Sequence, residues 1–429
     1  MTSPTPTLVR AIGRWSLVAV VVNSVIGSGV FGLPSSVAAL AGAWSPLAVL
    51  LAGACIFLIV LAFAEVGSRF DEAGGPYLYT RRGFGPGLAF HIGWLHAWTR
   101  FLSGAAVLNV LVNYLSALVP WAATPLGRVV VMGGTMAVVT AINVVGVRQA
   151  AWTVNVFTVA KLLPLVALSL IGLFVFDADV AATQQVTEYK WTDAVLLLVF
   201  GYGGFESSVV AASESRDPKR DTAFALVVAM LAITAIYALV QLAVVGILPE
   251  AGKSTTPVSS AFARVIGPAG GAVGAGAVIL SVYGWLVGVA LMNPRILFAM
   301  AERGELPAAL ARVHPRFRTP HVAVILNSAI VLAAGLYSTF GQVAALAAVV
   351  RLGIYMVTCA NLIALRRREG AAPFTLPGGP AIAAAGIVFC AWLIVTRDLS
   401  QIWILPAVVL AGALLRLLTR RTQPAPVSP

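Results

Sequence analysis

The sequence has very little charge. Asp and Glu number 16 in 429 residues, and charged residues of both signs make up 10%, against about 25% in soluble domains. A chain that is 59% hydrophobic, with mean hydropathy +0.93, leaves too little polar surface for water. That excludes a soluble globular protein and implies a multi-pass membrane protein. Cysteine is nearly absent. Cys55, Cys359 and Cys390 lie inside apolar runs and read as small interior residues, not a disulfide framework. Histidine numbers four; His91 and His96, about 140° apart around a helix, are not expected to share a metal. Neither glycine-rich run follows a strand, so a nucleotide loop is excluded and no cofactor is expected.

The net charge of +12 does not mark a nucleic-acid stripe, because the basic residues stand in short clusters between apolar runs. Those runs fall at 15–41, 45–67, 86–119, 125–146, 152–176, 191–212, 222–248, 270–301, 321–339, 342–365, 380–396 and 399–418, twelve spans of membrane-crossing length. An even number puts both termini on one side. Eighteen Lys and Arg residues fall in the termini and the loops on their side, and five, Arg128, Lys190, Lys253, Arg264 and Arg397, in the opposite loops. Both termini are therefore expected in the cytoplasm. The first thirteen residues are polar and carry no cleavable leader pattern.

Two spans are interrupted. Ile26-Gly27-Ser28-Gly29-Val30-Phe31 should cost a helix about 2 kcal/mol relative to alanine, and Phe200-Gly201-Tyr202-Gly203-Gly204-Phe205 repeats the signal in the sixth span. In hydrocarbon such a break survives only where protein buries it or it lines a cavity. Freed N–H groups at the start of the second half-helix, backed by its dipole, suit a carboxylate. Interrupted spans at the head of two five-span halves point to a transporter's binding site, with the halves inverted because five is odd.

Among the charged residues within or at the ends of spans, five are candidates for function. Lys161 lies about nine residues into the fifth span, ~14 Å deep at 1.5 Å per residue. An ionisable group at that depth is a functional candidate: it either carries a coupled proton or donates to carbonyls of an unwound helix. Glu206, just past the second break, is either proton-linked or a cap on the half-helix. Glu65 ends the second span, as a gate or an interfacial charge. Arg100 and Arg351, in the third and tenth spans, each need an anion, carbonyls or water. Trp94, Trp98 and Phe101 form a packing stripe, and Ala97 and Phe101 are candidates for the cavity wall. Gly270–Gly276 reads as a tight helix contact.

Four motifs in order resemble the amino acid–polyamine–organocation superfamily. They are Gly27-Ser28-Gly29-Val30-Phe31-Gly32-Leu33-Pro34; Ala64-Glu65 followed by Gly74-Gly75-Pro76-Tyr77; Phe200 through Glu206 with Glu214-Ser215-Arg216-Asp217-Pro218-Lys219-Arg220; and Pro294-Arg295 through His314-Pro315-Arg316-Phe317. The resemblance implies an all-α integral membrane fold like that of the leucine transporter. A cytoplasmic segment 1–14 would precede inverted five-helix repeats at 15–176 and 191–365; two additional helices at 380–418 and a tail at 419–429 would follow.

It also implies secondary transport of amino acids by alternating access. The substrate's carboxylate would meet N–H groups around Gly27, Ser28 and Gly29. Its amine would meet carbonyls near Val25, Ile26, Phe200 and Gly203, with Phe200 as an aromatic gate. Lys161 matches the fifth-helix lysine of proton-coupled carriers and exchangers. Tyr283–Met292 lacks the Ser or Thr that sodium-coupled relatives use. Neutral L-amino acids are the expected substrates, by proton symport or exchange, in a cell membrane. A cationic amino acid or polyamine antiporter is the first rival, and a membrane enzyme, sensor or channel the remoter ones. No disulfide-linked accessory subunit is expected, since Leu118–Gly127 has no cysteine.

Overall fold

The computed structural model describes residues 13–70, 72, 74–145, 151–206, 215, 217–398 and 402–422, without the side chains of 151–160 and of a few residues elsewhere. Arg10, Arg148, Glu214, Arg216, the side chains of Phe157–Ala160, the sixth span beyond Glu206 and the tail from 423 lie outside the described residues.

The regular elements are helices: α1 (Arg14–Val25), α2 (Gly29–Ala41), α3 (Ser45–Gly67), α4 (Gly75–Phe84), α5 (Pro86–Ser116), α6 (Pro125–Val145), α7 (Ala151–Val175), α8 (Ala178–Ala182), α9 (Trp191–Gly201), α10 (Pro218–Ile247), α11 (Pro257–Ile266), α12 (Pro268–Glu302), α13 (His321–Tyr337), α14 (Phe340–Glu369), α15 (Gly379–Val395) and α16 (Ile404–Thr422). Among the described residues, six stretches are long and apolar enough to cross a membrane by themselves, and shorter apolar helices accompany them. This is a multi-pass membrane protein.

Local chemistry sets the ends. α5 stops three residues short of the expected 119, because Pro120 lacks an N–H and restricts the residue before it. α14 runs past the expected 342–365 at both ends. Thr339 and Gln342 form a capping box ahead of it, and Arg366, Arg367 and Arg368 sit on the negative end of its dipole.

α5 is the centre of the bundle: 94% of its apolar window is buried, against 22% for the peripheral α6. Around α5 pack α4, α12, α13, α14 and α16, and the Trp94 indole N–H donates to the Val408 carbonyl of α16 at 2.8 Å. Side chains such as Phe174, Tyr337 and Val395, at 88%, 90% and 79% exposure, form an apolar exterior suited to lipid.

The helix ends are tied by charge. Glu65, fully buried at the end of α3, takes both oxygens to the Arg366 guanidinium and accepts the Leu376 N–H at 2.9 Å. Arg69 reaches both Glu65 and Glu369 at 3.8 Å, and Arg82 pairs with Glu369 at 2.6 Å. Glu65, read from sequence as a gate or an interfacial charge, is a buried hub joining α3, α4 and α14. Elsewhere Arg397, after α15, pairs with Asp193 at the start of α9. Glu65→Gln weakens two charge-assisted bonds and should cost about 2 kcal/mol. Thermal unfolding in detergent should show a lower midpoint, and an unchanged midpoint would remove the hub from the stability argument.

Candidate functional site

The two interruptions lie side by side. α1 ends at Val25 and the chain passes through Ile26 in an extended conformation before α2 begins. α9 ends at Gly201, and Gly204 then takes φ +124°, a conformation closed to most L-residues. There a side chain would strike the Ser24 carbonyl, and a Cβ on Gly29 would lie 2.8 Å from Gly201 Cα. Glycine at both positions lets the two backbones touch.

That contact leaves backbone groups in need of partners inside a membrane. Lys161 Nζ donates to Asn23 O at 2.6 Å and Ile26 O at 2.9 Å. The Tyr237 hydroxyl faces Gly201 O at 3.0 Å and Val25 O at 3.4 Å, and Ser24 Oγ donates to Gly204 O at 2.9 Å. The amides of Gly27, Ser28 and Gly29 meet no acceptor among the described residues. They stand at the N-terminus of α2, where the unmatched N–H groups and the dipole favour an anion.

Behind the second break Glu206, fully buried, accepts the Gly204 N–H at 2.8 Å on Oε2 and the Arg351 Nε–H at 3.1 Å on Oε1. Tyr355 donates to Oε2 at 3.4 Å. Arg351 Nη1 also donates to the Phe200 carbonyl at 3.1 Å. Sequence left Glu206 as a proton-linked carboxylate or a cap; here its carboxylate accepts one N–H of the broken backbone and neutralises Arg351.

A cavity of about 20 Å³, room for roughly one water, lies between the breaks. Val25, Gly27, Ser28 and Gly29 line it from the first break, and Phe200 and Gly203 from the second. Ile26 is fully buried beside it. Lys161 stands behind α1, outside the wall. Ala97 and Phe101, expected in the wall, are not among the lining residues; Phe101 packs edge-on against Trp98. From α5 the wall is instead Arg100 and Ser103, and from α12 it is Trp285, which lies over Gly27. Phe200 packs edge-on against Phe340, with centroids 6.1 Å apart. Of the residues that sequence reasoning did not place in the site, Arg100 carried a readable signal. A charge within an apolar span, one turn from Ser103, marks a polar face. Trp285 and Tyr237 carried none.

The described residues hold no group of three or more His, Cys, Asp or Glu able to bind a metal.

Comparison with known proteins agrees with this architecture. The chain is 29% identical over 378 residues, 84% of each chain, to the serine/threonine exchanger SteT of Bacillus subtilis. It is 25% identical over 448 residues to the branched-chain amino acid permease BcaP of Bacillus subtilis, covering 95% of this chain and 94% of that one. An uncharacterized transporter of Mycobacterium tuberculosis matches at 27% over 400 residues, 84% of this chain and 81% of its own. The amino acid permease family model matches residues 12–409, nearly the whole sequence with both interruptions inside it. The chain belongs to the amino acid permease family.

Proposed function

We propose that the protein moves amino acids across the cell membrane by alternating access, as a proton symporter or an exchanger, binding the substrate's zwitterionic backbone between the two interrupted helices. The observation that carries this reading is the trio of unpartnered amides at Gly27, Ser28 and Gly29, facing a cavity at the start of α2. They are the donors for an α-carboxylate. The α-amino group then takes a lone pair of the Val25 or Gly203 carbonyl, since a carbonyl accepting one bond still has one to offer; the Phe200 carbonyl already accepts from Arg351 and from the Gly203 N–H.

The twelve spans, arranged as inverted repeats 15–176 and 191–365 with two helices at 380–418, supply the alternation. The interruptions of 26–28 and 202–204 occupy the first helix of each repeat. The excess of eighteen basic residues over five on the terminal side supports cytoplasmic termini. The cavity is too small for an amino acid, so Phe200 or Trp285 moves when substrate enters. Neutral L-amino acids satisfy the backbone site, whose donors and acceptors meet only the zwitterionic part of a substrate. A cationic side chain finds no free carboxylate, because Glu206 is bonded to Arg351, which disfavours the cationic amino acid and polyamine antiporter. The serine/threonine and branched-chain activities of the two Bacillus relatives point the same way.

Gly29→Val places a branched side chain against Gly201 and over the α2 amides. Uptake into proteoliposomes should fall more than ten-fold, and the unfolding midpoint should drop because the two backbones must part; retained affinity would move the carboxylate site elsewhere. Lys161→Ala frees the carbonyls of Asn23 and Ile26 and removes the proton carrier. If Lys161 couples protons, acid outside no longer stimulates uptake by the variant, whereas the wild type accumulates substrate under the same gradient. A variant that responds to the gradient as the wild type does would leave the lysine a purely structural role.

A further inference from the structure

The buried charges around the cavity do not balance. Among the described residues, Glu206 is the one carboxylate buried in the middle of the bundle. Both its oxygens are taken, by Arg351 on one and by Gly204 and Tyr355 on the other. Lys161 is bonded to two carbonyls of the first break. Arg100 is different. It is 8% exposed, lines the cavity, and its guanidinium makes no hydrogen bond or ion pair with any described residue. A guanidinium carries five N–H donors and stays charged. Leaving it unpaired in low dielectric is costly, and the cost is relieved by an anion.

We propose that Arg100 is a side-chain subsite for a second carboxylate, so that the transporter takes acidic amino acids in preference to their uncharged amides. The proposal rests on the amino acid-binding reading above and adds the side-chain class to it. Its geometry follows from the cavity wall. The backbone carboxylate has its donors at the start of α2, and Arg100 approaches the same cavity from α5, with the Ser103 hydroxyl one turn further along. A guanidinium fork matches a carboxylate with two parallel bonds, which an amide cannot copy because one of its two heads is itself a donor. A zwitterion with an uncharged side chain brings no net charge and leaves the Arg100 charge unmatched; a dicarboxylic amino acid brings the missing negative charge.

The test uses the purified full-length protein in proteoliposomes, with and without internal unlabelled amino acid. Initial uptake of L-glutamate, L-aspartate, L-glutamine, L-asparagine, L-serine and L-leucine is measured. The expected result is that wild type prefers an acidic amino acid over its amide at least ten-fold in kcat/KM. Arg100→Gln should cut that preference ten-fold or more, and Arg100→Lys should keep part of it. Uptake of neutral amino acids without the acidic ones overturns the Arg100 subsite and leaves the transporter reading standing. Equal loss of acid and amide in Arg100→Gln overturns it too, because that places Arg100 on the shared backbone carboxylate. Uptake of nothing on the panel overturns both. The wild-type acid-to-amide ratio decides the matter even if neither variant is recovered folded.

Discussion

A membrane offers no water to an unpaired peptide group, and the centre of this molecule depends on that constraint. Breaking a helix twice inside hydrocarbon frees a set of carbonyls and amides that the protein must satisfy or put to use. The carbonyls are satisfied: Lys161 holds Asn23 and Ile26, Tyr237 holds Gly201, and Ser24 reaches across to Gly204. The amides at the start of α2 are left facing the cavity. The asymmetry is chemical. Around the breaks a lysine, a tyrosine and a serine donate to carbonyls, so the amides at the start of α2 keep their hydrogens for a ligand that carries acceptors; at the second break Glu206 takes the Gly204 N–H.

Charge follows the same division. At the bundle's ends, Glu65 with Arg366 and Asp193 with Arg397 are complete pairs that lock helices together. In the middle, one carboxylate serves Arg351 and the broken backbone at once. The end pairs fasten neighbouring helices; the central pair stiffens the second break, and its Arg351 lines the cavity together with Arg100.

Much of this was legible in the chain. The span 45–67 matches α3 residue for residue, and 125–146 and 152–176 match α6 and α7 to within one residue at each end, because twenty apolar residues between turn signals leave little choice. Both interruptions were readable too, from glycines where a span should have continued. What sequence does not carry is rotation and pairing. Ala97 and Phe101 lie roughly a third of a turn around α5 from Arg100 and Ser103, at about 100° per residue, and an interior helix that is apolar almost all round gives no stripe from which to choose a face. The Glu206–Arg351 pair joins residues 145 apart in the chain, and Trp285 reaches Gly27 from another helix; neither proximity leaves a local trace.

The Tyr237 hydroxyl has a consequence for motion. It carries one hydrogen and lies within reach of two carbonyls, Gly201 at 3.0 Å and Val25 at 3.4 Å, one on each interrupted helix. When the two helices draw apart, the phenol can stay with either one, so its hydrogen never loses an acceptor. The joint works like a latch with two keepers: letting go of one side leaves it fastened to the other.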